Sequence, residues 1–204
     1  MNFYIADTHF GHHNVIRYDN RPFRTTAEMD NTMIDNWNKV VGDNDTVYIL
    51  GDFSWYGFEN TVKILDSLRG DKVLIRGNHD RLNVSVAKRF FKIENYLEIT
   101  DGKERVVLNH YPMPFWNGQF RNTVHLYGHV HNSHQHNYCL SIQKELAQLQ
   151  DIPMRMYNVG CMIPYMDYTP RTLEEILDVN EAVYDTSEID GFLGEVKIND
   201  KKTV

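Results

Sequence analysis

Five short stretches carry side chains able to hold a cation or move a proton. They are Asp7 and His9 in "YIADTH", Asp52 in "ILGD", Asn78, His79 and Asp80 in "IRGNHD", His110 in "VLNH", and His129 and His131 in "LYGHVH". Carboxylate, amide and imidazole donors with no thiolate among them suit manganese, iron, zinc or nickel better than calcium. Each stretch alone has an ordinary explanation. Gly-Asp after a strand makes a turn, Asn-His-Asp caps a helix, and Asp-x-His is a satisfied pair. Five such stretches in one chain, each closing an apolar run, are hard to read as five unrelated turns. Together they read as a metal centre. His129 and His131 are two positions apart, so at the end of a strand they would leave the same face.

The elements that position these groups are legible around them. "MNFYIAD" is a buried strand ending at an acid, and a polar loop is expected from Thr8 to about Arg24. Over "TTAEMDNTMIDNWNKVV", Met29, Met33, Ile34, Trp37, Val40 and Val41 recur at helical spacing, with Thr25 and Glu28 as a capping box. "DTVYILGD" is the second strand. "FENTVKILDSLRG" reads as a helix with Phe58, Val62, Leu65 and Leu68 inward and Gly70 as its stop. "KVLIRGNHD" is the third strand. The second half reads as the strands "YLEIT", "RVVLNH", "TVHLYGH" and "MYNVG", with "SIQKELAQLQ" as a short inserted helix and "TLEEILDVNEAVY" as a late one, capped by Thr172 and Glu175. Strand and helix alternating in this way indicate an α/β fold with a partly parallel sheet. Ligands then sit at the carboxyl ends of the strands, where the five stretches lie. The expected organisation is one domain over residues 1–184, followed by an edge element or partly ordered tail over 185–204.

The order Asp7-x-His9, Gly51-Asp52, Gly77-Asn78-His79-Asp80, His110 and Gly128-His129-x-His131 closely resembles the calcineurin-like metallophosphoesterase superfamily. The resemblance runs from about residue 2 to about residue 177, and all five blocks are present. "DTHFGHHNVIRYDNRPF", "NWN" and "DTVYILGDF" further resemble a small single-domain bacterial and phage branch. The resemblance implies a four-layer α-β-β-α sandwich with two mixed β-sheets. It assigns one divalent metal to Asp7, His9, Asp52 and His131, and a second to Asp52, Asn78, His110 and His129. Manganese is the first expectation, with iron, zinc or nickel as alternatives. Hydroxide held between two such metals would attack a phosphate ester, and His79 would protonate the leaving oxygen. Asp80 is expected either to orient the His79 ring or to cap the helix after it. His12, His13, Arg17 and Arg21 are candidate substrate contacts in the loop after the first ligands. His134 and His136 are expected at the surface.

The net charge of −7 argues against a broad electrostatic grip on nucleic acid or an anionic membrane. Cys139 and Cys161 have no metal-type spacing and read as reduced thiols, so a cytoplasmic location is expected. No run approaches a membrane span, and no secretory signal precedes the first motif. The expected partner is a small phosphorylated or nucleotide-like substrate, with short nucleic acid also possible. A phosphodiesterase is favoured because "ADTHFGHHN", "LGDF" and "LNHYPMPFW" carry no lysine or arginine to meet a monoester dianion. Phe10, Trp55, Tyr111 or Trp116 would then carry the second ester group. A nuclease or phosphomonoesterase with the same site is the alternative. A non-catalytic binding module is disfavoured by the complete ligand set, and a protein phosphatase has no extended substrate surface to support it. The sequence leaves the oligomeric state open.

Overall fold

A computed structural model describes residues 1–150 and 153–181, so the expected element over 185–204 lies outside the described residues. The first sheet has the order β4-β3-β2-β1-β9. Its strands are β1 (Asn2–Ile5), β2 (Thr46–Ile49), β3 (Asp71–Ile75), β4 (Lys92–Glu94) and β9 (Arg171–Thr172). All pairs in it are parallel except β1 with β9. The second sheet has the order β5-β6-β7-β8, from β5 (Tyr96–Asp101), β6 (Glu104–Asn109), β7 (Val124–Tyr127) and β8 (Met156–Asn158). Only β5 with β6 is antiparallel there.

Side-chain alternation along a strand builds the layers. On β6, Val106 and Leu108 join the main core, while Val107 points to the other face. The main core lies between the sheets and extends under α2 (Thr26–Val40), which adds Met29, Met33 and Trp37, and α3 (Phe58–Ser67), which adds Leu65. The smaller core holds Val107, Tyr127 and Met156 with Cys139 of α5 (His134–Gln150). This is the α-β-β-α sandwich with two mixed sheets. Among the described residues, no helix is long and apolar enough to cross a membrane.

The caps are as the sequence implies. The Thr25 hydroxyl accepts from the Glu28 amide at 3.1 Å. Ahead of α6 (Leu173–Glu181), Thr172 and Glu175 cap each other reciprocally. Four expectations need correction. The loop from Thr8 to Arg24 contains α1 (His13–Tyr18), a helix too short for periodicity to reveal, with Val15 alone buried. Phe58 is 44% exposed. The face of α3 turned to the sheet instead runs through Thr61, Leu65 and Leu68, and a threonine in that stripe hides it from a hydrophobic pattern. Helix α5 starts at His134, earlier than "SIQKELAQLQ", because its buried positions are only Cys139 and Gln143 and it has no apolar stripe. His136 is therefore half-buried rather than at the surface, and its Nδ1 lies 3.3 Å from the Asn158 amide nitrogen.

Candidate metal centre

The loops after β1, β2, β3, β6 and β7 bring the five stretches to one edge. The backbone there is unusual. Asp7, His9, Asp52, His129 and His131 have φ of 54°, 51°, 53°, 71° and 50°. A non-glycine residue in the left-handed region costs about 1–3 kcal/mol and persists only where its surroundings fix it. Here the fixing is a weave between loops. The Asp7 amide donates to the Gly51 carbonyl and the His9 amide to the Asp52 carbonyl, each at 3.0 Å, and the Gly128 amide donates to the His110 carbonyl at 3.0 Å. A bridge from Ala6 to Gly160 joins the two sheets at this edge. His129 and His131 thus lie past the end of β7 in left-handed backbone, and strand alternation does not set their directions. Gly77 is required by packing, since a Cβ there would stand 2.4 Å from Asp52 Oδ1.

The ligand atoms form two groups, Asp7 with His9 and His131, and Asp52 with His110 and His129. Within each group they lie within 4.8 Å of one another. Asp52 joins the groups, with Oδ2 3.8 Å from His9 Nε2 and 3.6 Å from His110 Nε2. Asn78 Oδ1 is 3.1 Å from His110 Nε2, which sets it beside the second group. The seven residues expected as ligands therefore share one edge.

The donor set fits divalent cations. His110 Nδ1 is 2.7 Å from the Leu50 carbonyl, which can only accept, so Nδ1 carries a proton. That bond fixes the ring with Nε2 turned toward the Asn78 amide oxygen. His131 Nδ1 is likewise bound at 2.7 Å by Asp19 Oδ1, and its Nε2 faces His9 Nε2 at 3.1 Å. Burial holds the His9 imidazole well below its ordinary pKa, and His131 adds to this. Burial also pushes the Asp7 carboxyl up to about 6, partly offset by His131 and His110. Imidazole nitrogens gathered around a desolvated carboxylate are donor atoms that suit a divalent cation. His131 itself is raised. Burial would lower it, but the Asp19 hydrogen bond and the Asp7 charge outweigh that.

The residues around the ligands fall differently from expectation. The Asp80 carboxylate is buried and accepts from the backbone amides of Asp52 at 3.0 Å, Phe53 at 2.9 Å and Gly77 at 2.8 Å. It neither orients the His79 ring nor caps a helix; it ties the loop of β2 to the loop of β3. The cap of α4 (Val84–Ala87) is Asn83. Arg21 is no substrate contact. It is 4% exposed, donating to the carbonyls of Asp7 and Thr8 and to Asp19. Asp19 carries no signal in the sequence beyond its nearness to Arg21, yet it holds both that guanidinium and His131. The His79 amide donates to Asp52 Oδ1 at 2.9 Å, and its side chain lines the cavity over both groups. His12 lines that cavity too, but His13 and Arg17 do not. Phe10 and Trp116 are buried, whereas Trp55 and Tyr111 are 43% and 44% exposed. Among the described residues, no lysine or arginine lines the cavity.

Residues 3–155 match the profile of a family described as calcineurin-like phosphoesterase. An uncharacterised protein of Methanocaldococcus jannaschii is 37% identical over 179 residues, 87% of this chain and 89% of that one. The Gene 66 protein of Mycobacterium phage L5 is 36% identical over 80 residues, 38% of each chain. The crystal structure of a protein of unknown function from Aquifex aeolicus superposes with a TM-score of 0.67 at 27% identity, over 88% of this chain and 98% of that one. With the match covering three quarters of the chain and both ligand groups, this chain belongs to the calcineurin-like phosphoesterase family.

Proposed function

We infer that the protein is a two-metal phosphodiesterase acting on a small phosphorylated or nucleotide-like substrate. One observation carries this reading. A single carboxylate oxygen, Asp52 Oδ2, stands within 3.8 Å of an imidazole nitrogen in each of two adjacent ligand groups. Asp7, His9 and His131 would hold one divalent cation, Asn78, His110 and His129 the other, and Asp52 both. Manganese suits this donor set, as do iron, zinc and nickel. When bound, such a pair lowers the pKa of water and neutralises charge on a phosphate.

The remaining steps belong to the chain's own side chains. His79 projects into the cavity from the residue after Asn78 and gives its proton to the leaving oxygen. Asp19 holds His131 in one tautomer, and Arg21 holds Asp19. Asp80 holds the Asp52 loop so that both carboxylate oxygens of Asp52 keep their directions. Among the described residues no lysine or arginine lines the cavity, which favours a diester monoanion over a monoester dianion. Two buried free thiols, Cys139 and Cys161, fit a reducing compartment such as the cytoplasm.

The test compares kcat/KM for bis-4-nitrophenyl phosphate and 4-nitrophenyl phosphate at equal metal loading and pH. Preference for the diester is expected. A clear monoester advantage overturns the diester assignment and leaves a phosphomonoesterase with the same site.

A further inference from the structure

An acid that acts by proton donation must hold its ring toward the leaving oxygen. Histidines that do so are usually oriented by a carboxylate or carbonyl on the second ring nitrogen. His79 has neither. Among the described residues no hydrogen bond reaches either of its ring nitrogens, and Asp80, the adjacent carboxylate, is taken up by three backbone amides. What the His79 ring does touch is aromatic. Its centroid is 4.7 Å from that of Trp55, with the planes at 57°, and 6.0 Å from that of His9.

Trp55 is itself held on two sides. Its amide donates to the Phe10 carbonyl at 2.8 Å, and Phe10 and Ser54 form a bridge that prolongs the pairing of β1 and β2 beyond the ligands. Its ring stacks on His12 at 4.2 Å with the planes only 10° apart. His12 is tied back in turn, its amide donating to the His9 carbonyl at 3.0 Å. The indole is thus clamped to the backbone that carries Asp7, His9 and Asp52, and His79 leans on it from the neighbouring loop. Tilted aromatic contacts of this kind are favourable and directional.

We propose that Trp55 is the positioning residue of His79, with His12 as the backstop that keeps the indole in place. The geometry substitutes an aromatic shelf for the missing hydrogen-bond partner. It fixes the plane of the His79 ring while leaving both ring nitrogens free, one to give its proton to the leaving oxygen and the other to exchange with water. The proposal rests on the reading of His79 as the acid, and its test separates the two.

The first readout needs neither turnover nor metal. In metal-free protein, the His79 ring protons should show the ring-current shift of a neighbouring indole. The shift should be lost in Trp55→Ala, kept in part in Trp55→Phe and reduced in His12→Ala. Unchanged His79 resonances in folded Trp55→Ala overturn the proposal whatever the kinetics show. The second readout is kinetic. With a dinucleoside monophosphate, whose alkoxide leaving group needs the proton, Trp55→Ala should lower kcat about tenfold with KM little changed, a part of the ~10²–10⁴-fold that general acid catalysis supplies. Trp55→Phe should recover most of that loss. With bis-4-nitrophenyl phosphate the loss should be much smaller. In a His79→Ala background, Trp55→Ala should cost nothing further on either substrate. Equal losses on both substrates, or a loss that persists without His79, would make Trp55 a substrate-binding or structural residue and overturn the proposal. If His79→Ala alone shows no dependence on the leaving group, the acid reading fails, and the resonance shifts alone decide whether Trp55 holds the ring.

Discussion

Strand β7 carries one histidine inside it and two just beyond it, and all three serve the molecule differently. His125, inside, is fully buried with both ring nitrogens engaged. Nδ1 lies 3.2 Å from the Val107 carbonyl, and Nε2 accepts from the Met113 amide at 3.1 Å. Its needs are met by the protein, and burial pushes its pKa down to about 4. His131, beyond the strand, has one nitrogen held by Asp19 and the other turned on His9. His129 packs beside His110 and Tyr111, its ring 4.5 Å from the tyrosine, and offers a nitrogen to the second ligand group. What differs is the nature of the second partner. In His125 the second nitrogen accepts from a backbone amide, whereas in His131 and His110 it faces an atom of another candidate ligand, His9 Nε2 or Asn78 Oδ1.

The sharpest break of that contrast is at Asp52. Asp52→Ala should abolish turnover and deplete both metal positions, measured by elemental analysis of the folded variant, because this carboxylate stands between the groups. Retention of two metals would dissolve the distinction. Next, His79→Ala should keep both metals and lose ~10²–10⁴-fold in turnover of a poor leaving group. Metal loss in this variant would move His79 from proton donor to ligand.

Asp19→Asn tests the partner that His131 has and a free ligand lacks. It should cost ~10–100-fold in metal affinity or activity, the usual range for a residue behind a ligand, with both measurable by titration. The smallest effect on the site is expected at His125. In the folded state its pKa is about 4 against an ordinary 6.5, so the unfolded chain takes the proton first. Stability is therefore complete above about pH 6.5 and falls as pH drops toward 4, by about 3 kcal/mol in all. Denaturant unfolding of wild type and His125→Gln across that window should show a shallower pH dependence in the variant, with metal content unaltered at pH 7. A wild-type pH slope in the variant would remove His125 from the account.

The candidate ligand residues were legible because their types are unusual at strand ends and because the five stretches that carry them stand in one order along the chain. Their direction was not. The split between His129 and His131 comes from left-handed backbone at both, which no alternation rule contains. Asp80 and Arg21 misled for a related reason. Each looks like chemistry in the sequence, but each meets backbone groups that only the assembled loops present: three amides for Asp80, two carbonyls for Arg21. Asp19 and Trp55 are the reverse case, ordinary residues given a role by what lies opposite. The fold was more readable than the site. Strands β1, β2 and β3 and helix α2 follow apolar periodicity, whereas α1, α5, β4 and β9 are too short or too polar to show it.

The central claim is that the carboxyl edge holds two adjacent cations joined by Asp52. Crystals of protein loaded with manganese, measured on both sides of the manganese absorption edge and paired with elemental analysis of the same sample, test it directly. Two anomalous peaks per chain are predicted, one among Asp7, His9 and His131, the other among Asn78, His110 and His129, with the Asp52 carboxylate between them. A single peak in fully loaded protein, or peaks away from Asp52, would contradict it.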